Sequence, residues 1–302
     1  MSIRSPRKMT QTPTQLNALS LAVHLKRDPA EHKGDAGKVV LIGGAPGMAG
    51  ALLLAGNACM HLGAGWTILE MLDPSSAHAC MDHPELMIRL ANMEVVNGLE
   101  HIKPDVIAIG PGLGNSTLAL SSLEKALSIP KIPLVIDADA INQIASSKEL
   151  LKTLQGRNQQ FPGQTVLTPH PGEAAQLLKC SGAEIQSDRL GSIKQLVELT
   201  GSIVVLKGQH TLLSSPVNPI TVCQEGNPGM GTGGMGDVLT GSIAAIAAQG
   251  VKHHLNLWES TEIAVQLHAF AADSLVSKGV GPIGLTPSET ILEMRSLLNK
   301  LL

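Results

Sequence analysis

The feature that most constrains the fold is a unit that recurs along the chain. A short apolar run of three to six residues stops at a Gly, Pro or Asp cluster, and a helical pattern often follows. Val39 to Ile42 runs into GGAPGMAG and then a small-residue helix from Ala51 to Leu62. Trp66 to Met71 is a second run. Asp105 to Ile109 leads into GPGLG, Leu134 to Ile136 into DADAIN, Thr165 to Leu167 into TPHPGE, and Ile203 to Leu206 into KGQHT. GNPGMGTGGMGD then opens a long small-residue helix that reaches about Ala248. Strands of this length alternating with helices argue for an α/β fold with a central, mostly parallel sheet and helices on both faces. Each polar cluster follows its strand. In a parallel sheet those ends share one edge, so loops far apart in sequence meet along a single rim. Open α/β sheets bind ligands there.

Composition narrows what can bind. The 302 residues are 43% hydrophobic and 16% charged, which suits a globular chain. A net charge of −3 gives no electrostatic footprint for nucleic acid or an anionic membrane. With 1% aromatics and no Tyr, the chain lacks a base-stacking platform. Cys59, Cys80, Cys180 and Cys223 are scattered without a C-x-x-C, so a cytoplasmic, reducing location is expected. Arg4, Arg7 and Lys8 precede no apolar stretch, so the start does not read as a secretory signal. The apolar runs fall short of about 18 residues, so no membrane span is expected.

Residues 1–12 read as a loose tail, and 13–26 as a helix through Leu16, Leu19, Leu21, Val23 and Leu25. The expected plan is an N-terminal extension over 1–30 and a single catalytic domain over 31–302. Neither the His253-His254 pair nor the H-x-C-x-x-H run at 78–83 has a completing pair, so no structural zinc is expected.

Asn227 to Asp237 is the most informative loop. Gly229, Gly231, Gly233, Gly234 and Gly236 precede Asp237 and the apolar Val238-Leu239. Glycines let backbone N–H groups approach a phosphate, and a helix N-terminus favours anions. A carboxylate beside a phosphate is repelled, so its presence implies a chemical role, that of taking the proton of a hydroxyl that attacks phosphorus. The competing reading is a helix cap behind a flexible turn. No G-x-x-x-x-G-K-[ST] occurs, so this is not a Walker A loop.

The other loops each keep two readings. GGAPGMAGA at 43–51 and GPGLG at 110–114 either wrap a ligand or form tight structural turns. Asp137 and Asp139 either help hold Mg²⁺ or cap the helix near Ala140, with capping favoured for at least one of them. His170, stiffened by prolines on both sides, either binds a ligand or is a satisfied structural histidine. Glu173 falls in the first turn of the next helix, where a carboxylate is favoured. Lys207 either meets nucleotide phosphates or is solvated at a strand end.

Taken in order, HKGDAGKVVLIGGAPGMAGA, LGAGW, HPELM, IGPGLG, PLVIDADAIN, VLTPHPGEAAQLL, VVLKGQHT and GNPGMGTGGMGDVLTGSIAAIAAQG resemble the ADP-dependent NAD(P)H-hydrate dehydratase family, repair enzymes of the ribokinase-like fold, over about residues 30–292. TPHPGE followed by LKG and then GGMGDVL is the specific combination. The resemblance implies that the S form of hydrated NADH or NADPH loses water at the expense of ADP, giving AMP and phosphate. It implies Asp237 as the base, with Gly233, Gly234 and Gly236 forming the anion hole. It further implies that Lys207, Gly208, Gln209, His210 and Thr211 contact the adenine nucleotide, and that Ala51, Gly114, His170 and Asp237 hold the hydrated dinucleotide. Mg²⁺ is expected with the phosphates, and a homotetramer is expected by the same likeness.

Two positions depart from the family pattern: Met235, where a small or hydroxylated residue is usual, and Gly231, where Ala is common. About 30 residues ahead of the body are too few for the epimerase domain of fused relatives, so epimerisation is expected of another protein. Two other readings remain open: a thiamine-pathway small-molecule kinase of the same fold, and a non-catalytic nucleotide sensor that keeps the glycines without needing a base.

Overall fold

The structure is a computed structural model that describes residues 12–77 and 83–302. His78 and Cys80, singled out above, lie outside the described residues, as do Arg4, Arg7 and Lys8. In chain order the strands are β1 (Thr14–Gln15), β2 (Lys38–Gly43), β3 (Trp66–Met71), β4 (Met87–Leu90), β5 (Val106–Ile109), β6 (Leu134–Ile136), β7 (Thr165–Leu167), β8 (Ile203–Leu206), β9 (Leu212–Ser214) and β10 (Thr221–Val222). The helices are α1 (Ala49–His61), α2 (Met93–Asn97), α3 (Thr117–Ser128), α4 (Ala138–Ser146), α5 (Lys148–Gln160), α6 (Pro171–Leu178), α7 (Gly182–Ser187), α8 (Arg189–Thr200), α9 (Met235–His253), α10 (Leu257–Ser277) and α11 (Pro287–Leu301).

Among the described residues ten strands form one sheet in the order β1-β10-β9-β8-β7-β6-β5-β2-β3-β4. All neighbours from β8 through to β4 run parallel, whereas β9 is antiparallel to both β8 and β10. Successive strand residues serve opposite faces. Val39, Leu41, Val106, Ala108, Val135 and Val166 pack with α1, α9, α10 and α11. Val40, Ile42, Ile107, Ile109, Ile136 and Leu167 pack with α3 to α8. Coverage on both faces explains why the central strands read as continuous apolar runs rather than an alternation.

The strand expectations over Val39–Ile42, Trp66–Met71, Leu134–Ile136, Thr165–Leu167 and Ile203–Leu206 coincide with β2, β3, β6, β7 and β8. Asp105 lies just outside β5. The helix expected over 13–26 does not form. Thr14 and Leu16 instead donate to Ile220 O and Val222 O at the sheet edge, at 3.1 and 2.8 Å. A 3-10 helix follows over Leu19–Leu25. Leu19, Ala22 and Leu25 recur every third residue, which matches three residues per turn better than 3.6. Gln266 Oε1 accepts from Ala18 N and Leu19 N, at 2.7 and 3.2 Å. Edge pairing and this long-range amide outweigh a weak local preference. The segment expected as an extension therefore packs into the body, with Leu16, Ala18, Ala22 and Leu25 in the core.

The small-residue helices α1 and α9 sit unusually close. A Cβ added at Gly241 would lie 1.9 Å from Ala55 O, which is rigid backbone. Gly56 on α1 is similarly tight against Leu69 of β3, at 2.9 Å. This contact sets where the first turn of α9 lies relative to the strand ends. Gly241→Ala is expected to cost at least about 2 kcal/mol by overpacking, despite the higher helix propensity of Ala. Chemical denaturation of the purified variant checks this.

Candidate active site

The rim is built by loops that leave the carboxyl ends of β2, β5, β6, β7 and β8, together with the glycine-rich entry to α9. The first two are zipped by backbone: Gly44 N donates to Pro111 O at 3.0 Å and Ala45 N to Gly112 O at 2.7 Å. Ala51 occupies the first turn of α1, where a Cβ on Gly112 would reach its Cβ at 3.3 Å. Gly114 is tied to α4: its N–H donates to Asp139 Oδ2 at 2.8 Å, and Gln143 Nε2 donates to Gly114 O at 2.7 Å. Ala51 and Gly114 are thus on the β2–β5 side of the rim.

Asp137 stands at the cap position of α4 but makes no cap bond. Its carboxylate, 2% exposed, turns to the centre of the rim. Oδ1 accepts from Thr168 Oγ1 and from Lys207 Nζ, each at 2.7 Å, and Oδ2 accepts from Thr240 Oγ1 at 2.8 Å. Asp139 is engaged with Gly114. The capping expected of at least one of these carboxylates is therefore not made. A charge-assisted bond to a buried ammonium is worth more than a neutral cap.

Lys207 is not a solvated strand-end lysine. Its backbone N–H donates to Pro169 O at 2.9 Å, and its ammonium also lies 3.9 Å from Glu173 Oε2. Burial works to lower its pKa, but Asp137 and Glu173 outweigh that and hold it above the usual lysine value. Beyond it Gly208, Gln209 and His210 are exposed, and Thr211 Oγ1 closes the turn on Gly208 O at 3.1 Å. Arg189 braces the turn through Leu206 O and Lys207 O.

His170 serves structure in a specific way. Its Nδ1 accepts from Gly172 N and Glu173 N, while Glu173 Oε2 accepts from His170 N at 2.8 Å, forming a capping box at the start of α6. Pro171 at the first helical position fits this start. Nε2 lies 3.1 Å from Glu173 Oε1. Burial and the nearby Lys207 hold the imidazole below its usual pKa, in keeping with a neutral ring whose Nδ1 accepts. Glu173 is pushed up to about 7, first by burial, with Lys207 opposing and Asp137 adding repulsion.

Asp237 is the third residue of α9. The helix cap is Gly234, at φ +98°. No side chain fits at Gly234, since a Cβ would meet Leu54 Cδ1 at 2.5 Å and Pro287 Cγ at 3.0 Å. Among the described residues the Asp237 carboxylate makes no hydrogen bond, so the helix-cap reading does not hold. Burial raises its pKa to about 7; Asp137 repulsion adds to this, Lys207 opposes it, and Asp139 and Glu173 add further repulsion. These influences put it within electrostatic reach of the Asp137–Lys207 pair. Gly236 lies directly against that pair, since a Cβ there would sit 3.3 Å from Lys207 Nζ. Met235 packs into an apolar cluster with Ala272, Leu275 and Leu285, which explains how bulk is tolerated in the glycine-rich turn.

His170, Lys207, Gly236 and Asp237 are therefore gathered around one buried carboxylate, with Gly233 exposed at the mouth of the turn. Thr168 and Thr240 were not anticipated as members. A hydroxyl among apolar helix residues, as in GDVLT, was the available sign for Thr240. Among the described residues no group of three or more His, Cys, Asp or Glu could hold a metal unaided. Carboxylates in ones and twos beside a phosphate site are what Mg²⁺ uses. A groove of about 640 Å³ opens at the opposite ends of β2 and β3, where Lys38, Trp66 and Arg89 line it, and it contains none of these groups.

Comparison with known proteins identifies the family. The sequence profile described as NAD(P)H-hydrate dehydratase matches residues 39–292. A curated ADP-dependent (S)-NAD(P)H-hydrate dehydratase from Neisseria meningitidis serogroup B is 33% identical, over 100% of this chain and 97% of that protein. A bifunctional NAD(P)H-hydrate repair enzyme from Vibrio cholerae is 39% identical over 90% of this chain and 52% of its own length, so the chain spans about half of such relatives. The solved ADP/ATP-dependent NAD(P)H-hydrate dehydratase from Bacillus subtilis, co-crystallised with ATP/Mg²⁺, superposes with a TM-score of 0.80 at 23% identity, covering 97% of this chain and 100% of that one. The architecture is ribokinase-like. By the extent of the profile match and the full-length relative, the chain belongs to the NAD(P)H-hydrate dehydratase family.

Proposed function

We propose that this chain dehydrates the S form of hydrated NADH and NADPH using ADP, releasing AMP and phosphate. The observation that carries the reading is Asp237: a carboxylate with no hydrogen-bond partner among the described residues, raised to a pKa of about 7 and within electrostatic reach of Lys207, at the first turn of α9. A base so placed is deprotonated in a large fraction of molecules at neutral pH and retains enough basicity to take a proton.

Hydroxide is a poor leaving group. In the proposed reaction Asp237 takes the proton of the substrate hydroxyl as its oxygen attacks the terminal phosphorus of ADP, and the bridging P–O bond breaks to give AMP. The C–O bond of the new phosphate ester then breaks, and phosphate leaves with the bonding electrons. A proton is lost from the neighbouring carbon, and the ring double bond returns. The backbone N–H groups around Gly233, Gly234 and Gly236, with the Lys207 ammonium, stabilise charge on the transferring group. Lys207, Gly208, Gln209, His210 and Thr211 contact the adenine nucleotide. Ala51, Gly114 and His170 hold the dinucleotide; His170 does so from a ring fixed by its own cap.

Asp137, Asp139, Glu173 and Asp237 surround one ammonium, and nucleotide phosphates add further negative charge. That imbalance fits a divalent cation. Asp139 and Glu173, each accepting one backbone N–H, keep lone pairs with which to hold Mg²⁺ beside the phosphates, whereas Asp137 is occupied by three side-chain donors. Bound there, Mg²⁺ would neutralise phosphate charge. Residues 31–302 carry the catalytic loops, with the preceding described segment packed into the same core; we assign the protein to the cytoplasm from its scattered cysteines and a homotetrameric state from the family likeness.

Incubation with ADP and NADPH hydrate should restore the absorbance of the reduced nicotinamide; absence of recovery would overturn the reading. Asp237→Asn should lower turnover by at least about 10²-fold while ADP binding, measured by calorimetry, is retained. Because Asp237 acts deprotonated, kcat/KM should fall as pH drops through about 7. Lys207→Met, which removes a cation that favours ionised Asp237, should move that limb to higher pH.

A further inference from the structure

Thr240 lies one helical turn beyond Gly236 and is fully buried. Its single hydroxyl proton has two acceptors, Asp137 Oδ2 at 2.8 Å and Gly236 O at 3.2 Å. The carboxylate is nearer and charged, so it takes the proton. Among the described residues Oδ2 has no other donor, while Oδ1 is shared by Thr168 and Lys207. The hydroxyl thereby divides the carboxylate: one oxygen for α9, the other for the ammonium. A Cβ on Gly236 would lie 3.3 Å from Lys207 Nζ and 3.7 Å from Asp137 Oδ2, so the first turn of α9 rests directly on this pair.

We propose that Thr240 and Asp137 are positioning residues for phosphoryl transfer: through one buried chain of hydroxyl, carboxylate and ammonium they fix Lys207 against the first turn of α9, so that ammonium and helix N–H groups form a single anion site. The inference rests on the reading of that turn as the transfer site. Neither element sets the spacing alone, because Lys207 leaves β8 while the N–H groups belong to a helix packed on α1. Without the Thr240 hydroxyl, Oδ2 is a bare buried acceptor. The Lys207 ammonium, with three donors to share, is the cation free to move toward it, and that shift carries it out of register with the helix N–H groups.

A kinetic double-mutant cycle tests this, using single-turnover rates with ADP and NADPH hydrate. Thr240→Val should slow turnover by about 10-fold or more, the scale of a displaced charge, while the Kd for ADP changes less than about 3-fold. Thr240→Ser, which keeps the hydroxyl, should recover wild-type turnover to within about 3-fold. In a Lys207→Met background, adding Thr240→Val should cost less than about 2-fold, because the group it positions is gone. If circular dichroism shows the Val variant unfolded, Thr240→Ala takes its place in the same cycle. Equal losses in both backgrounds, no loss in either, or failure of Ser to recover turnover would each overturn the positioning role. Wild-type turnover in Asp237→Asn would overturn the base assignment instead, so the two failures are separable.

Discussion

The rim is organised by the pairing of Asp137 with Lys207, a carboxylate and an ammonium both withdrawn from water. Separating two such charges would leave each uncompensated, at several kcal/mol per group. The pair is therefore a fixed point around which other groups must be arranged. Thr168 ties it to the end of β7 and Thr240 to α9. Backbone at Gly110 closes on the Asp137 carbonyl so tightly that a Cβ there would sit 1.8 Å from it. Loops separated by more than a hundred residues are held in register by one ion pair and two hydroxyls.

The pair also sets the electrical character of the site. The pull of Lys207 on Asp237 is outweighed by burial and by the repulsion of Asp137. Burial and repulsion then keep the Asp237 carboxyl near neutrality. Glu173 meets the same conditions, yet it is held by the His170 backbone and differs in consequence. Two carboxyls with similar pKa values thus have different roles open to them: Glu173 is tied at one oxygen to a helix cap, while Asp237 is unbonded among the described residues. A surplus of negative charge at a phosphate site would be self-defeating without a cation, which is the physical case for Mg²⁺ here.

Packing supplies the second constraint. Glycine and alanine on α1 and α9 let the helices approach until backbone meets backbone, and that approach lowers the glycine-rich turn onto Lys207. Gly234 is doubly determined, by its left-handed backbone and by Leu54 and Pro287 beside it. Part of the glycine density in this segment therefore serves close packing, a use that the sequence alone does not separate from the proposed anion site.

The order of elements, the parallel character of the sheet and the location of the rim are fixed by local composition, because apolar runs must be buried on both faces and glycine or proline must end them. The rim loops were legible for the same reason, as was the position of Asp237 at the entry to a helix behind a glycine-rich turn. The short strands at Met87–Leu90 and Leu212–Ser214 were not, and neither was the 3-10 helix at Leu19–Leu25. Their residues form these elements only because an edge or a helix elsewhere accepts their hydrogen bonds. Partnership among polar side chains was likewise beyond the sequence: that Asp137 leaves its cap for Lys207, that His170 caps α6, and that Thr240 reaches 103 residues back along the chain. Burial decides each of these choices, because desolvation makes the strongest available partner worth most, and which partner is available depends on the folded chain.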